Sequence, residues 1–475
     1  MVSIMIAYMP ERKQLFTDVY HSWTSVLLVC AITGLIANIL IFYPGYLSKD
    51  STSQLCQAVE LCPLESWHPP AMTLLWRGLI ALTGHISSML IFQLNILWTG
   101  LFLVSLYIWA QTRRKYLSLG VLLFGYSPMI VNISGVIWKD VQAAAALLLS
   151  VALLLACRRA AGIRTRAATG AFALLLMLYA AMVRYNAILF VVPLLYIWVV
   201  EMKITAKYRL TIFISLIIML ATAPYAVNKL SGAASKPYID TYTMTGDIIN
   251  MLSPQEIARS KLSNNAMSAL LDFSDCADSD ARINRAFNAC GSEQSRQYLM
   301  FNDHEALRSL WLVAIMRNPI EFILYKINSY TIFLFPGDDQ AVWQDGMYQG
   351  SHPVASLKSH DAKDALSHYV NNFGFRHFSF LYAAWFWLVL GVIALLRGRT
   401  LQRYSMYVCL LAASAVLNIL SYFPLSLTND YRYIYWSVFA CGLAYLLLYT
   451  ELKVQNCEGR KSAVSTRKKL ATAKK

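Results

Sequence analysis

Ten apolar stretches dominate the chain, near residues 24–43, 88–110, 116–134, 141–157, 169–183, 187–200, 210–227, 377–396, 404–423 and 433–450. Each approaches the roughly 20 residues a helix needs to cross a ~30 Å hydrocarbon core, once tilt and boundary residues are allowed for. Lipid satisfies no backbone group, so a spanning segment must be a helix or part of a closed barrel, and unbroken apolar runs read as helices. Composition agrees. Hydrophobic residues make up 57% and charged residues only 14% of the 475, whereas soluble chains carry about 25% charged residues. That leaves too few charges to clothe a water-facing surface, which excludes a cytosolic enzyme, a disordered chain and a small secreted scaffold. The expected fold is an all-α polytopic membrane protein of about ten transmembrane helices with a large outer loop.

Charge orients these helices. With the N-terminus inside, the segments 1–23, 111–115, 158–168, 201–209, 397–403 and 451–475 share one side. They hold more than half of the 41 Lys/Arg but fewer than a quarter of the 26 Asp/Glu. The positive-inside bias therefore places both termini in the cytoplasm. The net charge of +15 reads as attachment to an inner leaflet, with 451–475 as a basic tail, and no nucleic-acid partner is expected. The first run is not a cleavable signal, because Tyr43-Pro44-Gly45-Tyr46 follows it instead of a small-x-small site.

The expected organisation is a membrane module over 1–228 with a first outer loop at 44–87, an outer segment over 229–375, closing helices over 376–450, and the tail. Inside the outer segment, 306–335 turns apolar but carries Arg308, Arg317, Pro319, Glu321 and Lys326. Helices lying on the outer leaflet are expected there, with Trp311, Tyr325 and Tyr330 at headgroup depth. Two short spans, twelve in all, would preserve the same sidedness. Four cysteines fall outside as local pairs, Cys56 with Cys62 and Cys276 with Cys290. Disulfides in an oxidising compartment are expected, free thiols being the other reading.

No Walker A loop, GxGxxG, GxSxG or HExxH occurs. What stands out is a set of polar residues at the outer ends of the runs, where desolvation makes ionisable groups costly. They are Asp50 in Lys49-Asp50-Ser51, then Trp67-His68-Pro69-Pro70, Trp138-Lys139-Asp140, Arg184-Tyr185-Asn186 and Asp430-Tyr431-Arg432-Tyr433. Asp50 alone also fits a helix cap. Lys49, Lys139, Arg184 and Arg432 each lie within a residue or two of an Asp or Asn, which fits local ion pairing. The same placement fits cations converging on one anionic group, and a lipid phosphate is the natural ligand at that depth.

A first membrane helix, the loop carboxylate Asp50, His68-Pro69-Pro70 and an Asp140 opening the fourth helix together resemble the GT-C superfamily. These are integral-membrane glycosyltransferases that use polyprenyl-phosphate-linked sugars. The likeness covers the first six helices, with an echo at Asp430-Tyr431-Arg432-Tyr433. It implies Asp50 and Asp140 as the acidic catalytic residues and Arg184 as a base near the donor phosphate. The chain departs from the pattern at Ser51, where many members carry Asp-Glu or Asp-x-Asp, and this weakens the inference of a metal in the first loop.

The chemistry that the resemblance implies is consistent with these residue types. Asp50 can act as general base on an acceptor hydroxyl, and Lys139, Arg184 and Arg432 can hold the leaving phosphate. One base without a second nucleophile fits an inverting single displacement. Tyr46, Trp67, His68, Asn186 and Asp430 would bind sugar and acceptor, with segment 229–305 covering the site. Asp50, Asp140 and His68 would make an oxygen/nitrogen metal site if they converged, although a monophosphate donor favours catalysis with no cofactor.

The implied setting is a bacterial inner membrane with a periplasmic active site. The donor would be a sugar on undecaprenyl phosphate and the acceptor a cell-surface glycan such as lipopolysaccharide O-antigen, or a protein. Membrane lipids, a donor-lipid synthase and a flippase are the expected partners. A lipid or polysaccharide transporter or flippase, an O-antigen polymerase or ligase, and an envelope assembly factor are the competing readings. Against transport, no run interior carries an ionisable residue.

Overall fold

The computed structural model of the chain describes residues 15–234, 239–277, 291–336, 360–425 and 430–472. The first part runs α1 (Leu15–Phe42), α2 (Lys49–Ala58), α3 (Ala71–Thr83), α4 (Ser88–Thr112), α5 (Lys115–Gly125), α6 (Pro128–Ser134), α7 (Lys139–Cys157), α8 (Ile163–Val183), α9 (Ala187–Glu201) and α10 (Ala206–Leu230). Then come α11 (Ile239–Met251), α12 (Pro254–Ala258), α13 (Asn264–Ala277), α14 (Glu293–Phe301), α15 (His304–Arg317) and α16 (Pro319–Leu334). The last part holds α17 (His360–Ser367), α18 (Ala384–Gly398), α19 (Ser405–Leu420) and α20 (Tyr435–Thr472). Among the described residues there is no strand, only two isolated parallel bridges, Tyr46 with Val136 and Glu65 with Ala234.

Among the described residues six helices are long and apolar enough to cross a membrane: α1 over Ser22–Phe42, α4, α7, α8, α10, and the start of α20 within Tyr431–Lys453. Two bent pairs raise the number to eight, α5 with α6 at 43° and Asp364–Tyr382 with α18 at 53°. This is consistent with a multi-pass membrane protein. The ten expected runs fall on these eight segments and on two shorter apolar helices, α9 with 15 residues and α19 with 16.

The run at 116–134 was expected to be one continuous helix, and it is broken. Pro128 has no N–H and cannot continue α5. Tyrosines distant in sequence take the carbonyls around the bend: Tyr369 donates to Tyr126 O at 3.1 Å, Tyr431 to Met129 O at 2.9 Å and Tyr435 to Ile130 O at 2.8 Å. The bend thereby fixes where α20 begins. At the centre of the bundle is α7, whose apolar window is wholly buried. Its small Ala143–Ala146 stretch lets neighbouring backbones come close. At the rim, α10 has only 11% of its window buried.

Helices α11–α16 have their own core, including Met244, Ile248, Phe273, Leu299 and Leu307. Neither α15 nor α16 is long and apolar enough to span, and Pro319 separates them. The aromatic residues expected at headgroup depth make contacts within the protein. Trp311 Nε1 donates to Asp247 Oδ2 at 2.9 Å, Tyr330 donates to Ile419 O at 3.2 Å, and Tyr325 is buried. Lys326 is buried against Asp247 at 2.7 Å, so a charge that argued against a span is neutralised inside the protein. The exposed large apolar residues of α15 and α16 are Leu312, Val313, Met316, Ile320, Ile323, Leu324 and Ile327. The Cys56–Cys62 disulfide is formed. Cys290 and the side chain of Cys276 lie outside the described residues.

Candidate functional site

The site starts from a splice between two chain segments. Tyr46 N donates to Gly135 O at 3.1 Å and Ile137 N to Tyr46 O at 2.9 Å, which ties the end of α1 to the strand-like turn before α7. Gly135 is required there, because a Cβ would overlap the Phe42 ring. Gln93 of α4 supports the turn, its amide donating to Ser134 O at 2.7 Å and Val136 O at 2.9 Å. Ser48 caps α2 through Ser51 N and accepts Trp138 Nε1 at 2.6 Å. Asp50, in the first turn of α2, is thus held beside Trp138-Lys139-Asp140. Tyr46 is 1% exposed, with its ring edge-on to Phe42. The sugar-binding role expected of Tyr46 is corrected: it is a core residue whose backbone builds the splice.

The second wall carries His68. Ser66 O accepts the Tyr185 hydroxyl at 3.1 Å, and Ser66 N donates to Ala234 O at 3.1 Å. Pro69 and Pro70 are buried and lead into α3. This holds His68, 4% exposed, with Nε2 at 3.9 Å from Asp50 Oδ1 and Nδ1 at 3.0 Å from Lys139 Nζ. Nδ1 and the Lys139 amine share a hydrogen bond, and Nε2 faces Asp50. Burial, with Lys139 adding to it, pushes the His68 pKa down to about 3. The ring is neutral at ordinary pH. Trp67 is half-buried, edge-on to His68.

The third wall comes from the turn before α20. Asp430 accepts Arg432 N at 3.1 Å and forms an ion pair with Arg432 Nε at 2.9 Å, while Arg432 Nη1 reaches Asp50 Oδ2 at 2.9 Å. The guanidinium lies 4.8 Å from the Trp138 ring centre and 5.2 Å from that of Tyr433. Burial pushes the Asp50 carboxyl up, but the neighbouring cations, Arg432 foremost, outweigh it and hold the group well below the usual carboxylate range. Burial raises Asp430 in spite of Arg432. Asp50 is the most open of these side chains, 32% exposed against 14% for Arg432 and 5% for His68.

Behind this mouth lies a second ion pair. Arg184, where α8 ends, pairs with Asp140, and its Nε donates to Asn186 Oδ1 at 3.2 Å. Asn186 in turn donates to Ser421 at 2.9 Å. The Arg184 guanidinium sits 5.5 Å from the Tyr422 ring and 5.4 Å from the Tyr433 ring, which stack on each other at 4.7 Å. Tyr433 therefore serves both arginines. Asp140 Oδ2 is buried with no hydrogen-bond donor.

The structure brings together Asp50, His68, Lys139, Asp140, Arg184, Asn186, Asp430 and Arg432, with Trp67 beside them. The Lys49 side chain lies outside the described residues. Arg184 keeps its local partner Asn186 and reaches the distant Asp140, and Arg432 keeps Asp430 and reaches the distant Asp50. Sequence reasoning assigned no role to the aromatic plates Trp138, Tyr422 and Tyr433 or to Ser48; an aromatic next to each cation was the available signal for Trp138 and Tyr433. Asp50 faces Arg432 and Asp140 faces Arg184. Among the described residues no group of three or more His, Cys, Asp or Glu is arranged to hold a metal ion. What the cluster offers is an ionised, half-open proton acceptor beside two guanidinium groups and the Lys139 amine. No family model, curated protein or solved structure matches this chain.

Proposed function

We propose that this chain is a membrane glycosyltransferase of GT-C type, moving a sugar from a polyprenyl phosphate donor to a hydroxyl of a cell-surface glycan. The observation that supports this reading best is Asp50: an ionised carboxylate at the mouth of a site whose other exposed-side groups are cationic or neutral. A proton acceptor beside an anion-binding set is what transfer out of a phosphate ester requires.

In the proposed step the acceptor O–H gives its proton to an Asp50 oxygen, and its oxygen lone pair forms the new bond to the anomeric carbon. The bond from that carbon to the phosphate oxygen breaks, its electron pair leaving on the phosphate. Arg432 and Lys139 stabilise that charge, with Arg184 behind them. Asp140 positions Arg184. Trp67 and His68 face the sugar, and Asn186 and Asp430 hold the arginines. A single displacement inverts the anomeric centre, and no metal step is invoked.

The reading includes undecaprenyl phosphate as carrier and lipopolysaccharide O-antigen as acceptor. It also includes ten spans with both termini in the cytoplasm of a bacterial inner membrane, and a site facing the periplasm. Mass spectrometry of surface glycans tests it in cells with the gene, without it, and with Asp50→Asn. A hexose-sized addition present only with the wild-type gene is the expected result. Identical glycans in all three strains, in a host shown to supply donor and acceptor, would sink the reading and favour lipid transport.

A further inference from the structure

Within the proposed transfer reaction Arg432 has two conflicting tasks, since it is to hold the donor phosphate while its Nη1 already binds the base at 2.9 Å. We propose that the donor phosphate displaces Asp50 from Arg432, so that donor binding is what frees the catalytic base. This rests on the transfer reading and adds to it an order of events, donor before acceptor.

The geometry decides which partner leaves. A guanidinium is planar and donates only around its edge. Asp430 faces Nε in an ion pair at 2.9 Å and also accepts Arg432 N at 3.1 Å, so one ion pair and one hydrogen bond hold it, and it is 12% exposed. Trp138 and Tyr433 lie 4.8 and 5.2 Å from the guanidinium carbon. The Nη edge remains: Nη2 reaches the Tyr433 hydroxyl at 3.5 Å, and Nη1 is held by Asp50, the most exposed member at 32%. A phosphate approaching for a bidentate contact meets Asp50 first.

The other groups facing Asp50 cannot replace Arg432. His68 from the first loop is neutral, and Lys139 from α7 is bonded to His68 Nδ1 at 3.0 Å. Asp430 and Arg184 stand further back. A carboxylate paired with a guanidinium is a poor base. Once an anion neutralises Arg432, the proton affinity of Asp50 rises, and the base becomes competent only when there is a donor to attack.

Difference infrared titration of the purified protein in detergent tests this, the Asp50 band being the one absent from Asp50→Asn. Undecaprenyl phosphate should raise the Asp50 midpoint by about one to three pH units, and undecaprenol should not. Arg432→Gln should show a raised midpoint without lipid and little further change with it. If undecaprenyl phosphate raises the melting temperature but leaves the wild-type midpoint where it was, the exchange is wrong and the transfer reading stands. If it neither binds nor shifts the midpoint, both fall.

Discussion

Glu451, near the far end of the last span, accepts three successive backbone N–H groups, from Gln402, Arg403 and Tyr404, at 2.5, 2.8 and 2.8 Å. Roughly 30 Å back along the same helix, Arg432 shares itself between two carboxylates, and beside it Asp140 keeps one oxygen with no donor. Both ends bury charge among tyrosines. At the Glu451 end, Arg403 donates to Gln111 at 2.7 Å, and Arg158 donates to Arg403 O at 2.8 Å over the Tyr404 and Tyr407 rings. Glu451, Arg403 and Arg158 there meet backbone and fixed amides, which do not change state. At the Asp50 end, charges meet other charges and a neutral histidine, so a new anion or a moved proton redistributes every pair. The first arrangement fastens helices together. The second is one a reaction can use.

This contrast predicts how substitutions divide. The largest effect on stability should come from Arg184→Gln, which strands the buried Asp140 carboxylate and should cost about 3–5 kcal/mol. Adding Asp140→Asn should recover much of that cost, read as thermal unfolding in detergent. If the single and double variants are equally unstable, Arg184 acts through its tyrosine contacts and not through the ion pair. Glu451→Gln should come next, losing about 1–3 kcal/mol because three buried donors face a weaker acceptor. Activity per folded molecule should be unchanged; a fall in turnover at constant stability would erase the distinction between the two ends.

Near neutral pH the smallest effect is that of proton binding. The His68 pKa lies below its value in the unfolded chain, so the unfolded state binds the proton first as the medium becomes acid. Stability should therefore be unaffected above about pH 6.5 and fall below it, by at most ~1.4 kcal/mol per unit. His68→Gln should remove that slope. Identical pH profiles for the two proteins would mean that His68 is not held neutral.

Much of this was legible in the sequence, for identifiable reasons. Hydropathy located the helices because lipid demands it, and the ends of the apolar runs marked Asp50, Lys139, Asp140, Arg184 and Arg432 because charge is expensive there. Hydropathy could not see the break at Pro128, since the carbonyls around that bend are satisfied by Tyr369, Tyr431 and Tyr435, far along the chain. Nor could proximity in sequence reveal that Asp140 pairs with Arg184 and Asp50 with Arg432, because pairing depends on helix packing. Tyr46 was misplaced for the same reason: next to a polar loop it reads as surface, but the splice to Gly135 and Ile137 draws it into the core.

The central claim is that the Asp50 end performs chemistry. The most direct measurement follows consumption of a polyprenyl-phosphate-linked hexose by the purified protein in lipid nanodiscs, with wild type and Asp50→Asn compared. Wild type should release free polyprenyl phosphate when acceptor glycan is present. Asp50→Asn should bind the donor, keep its melting temperature and turn over about 10²–10⁴ times more slowly. Equal turnover by the two proteins would contradict the assignment of Asp50 as the base.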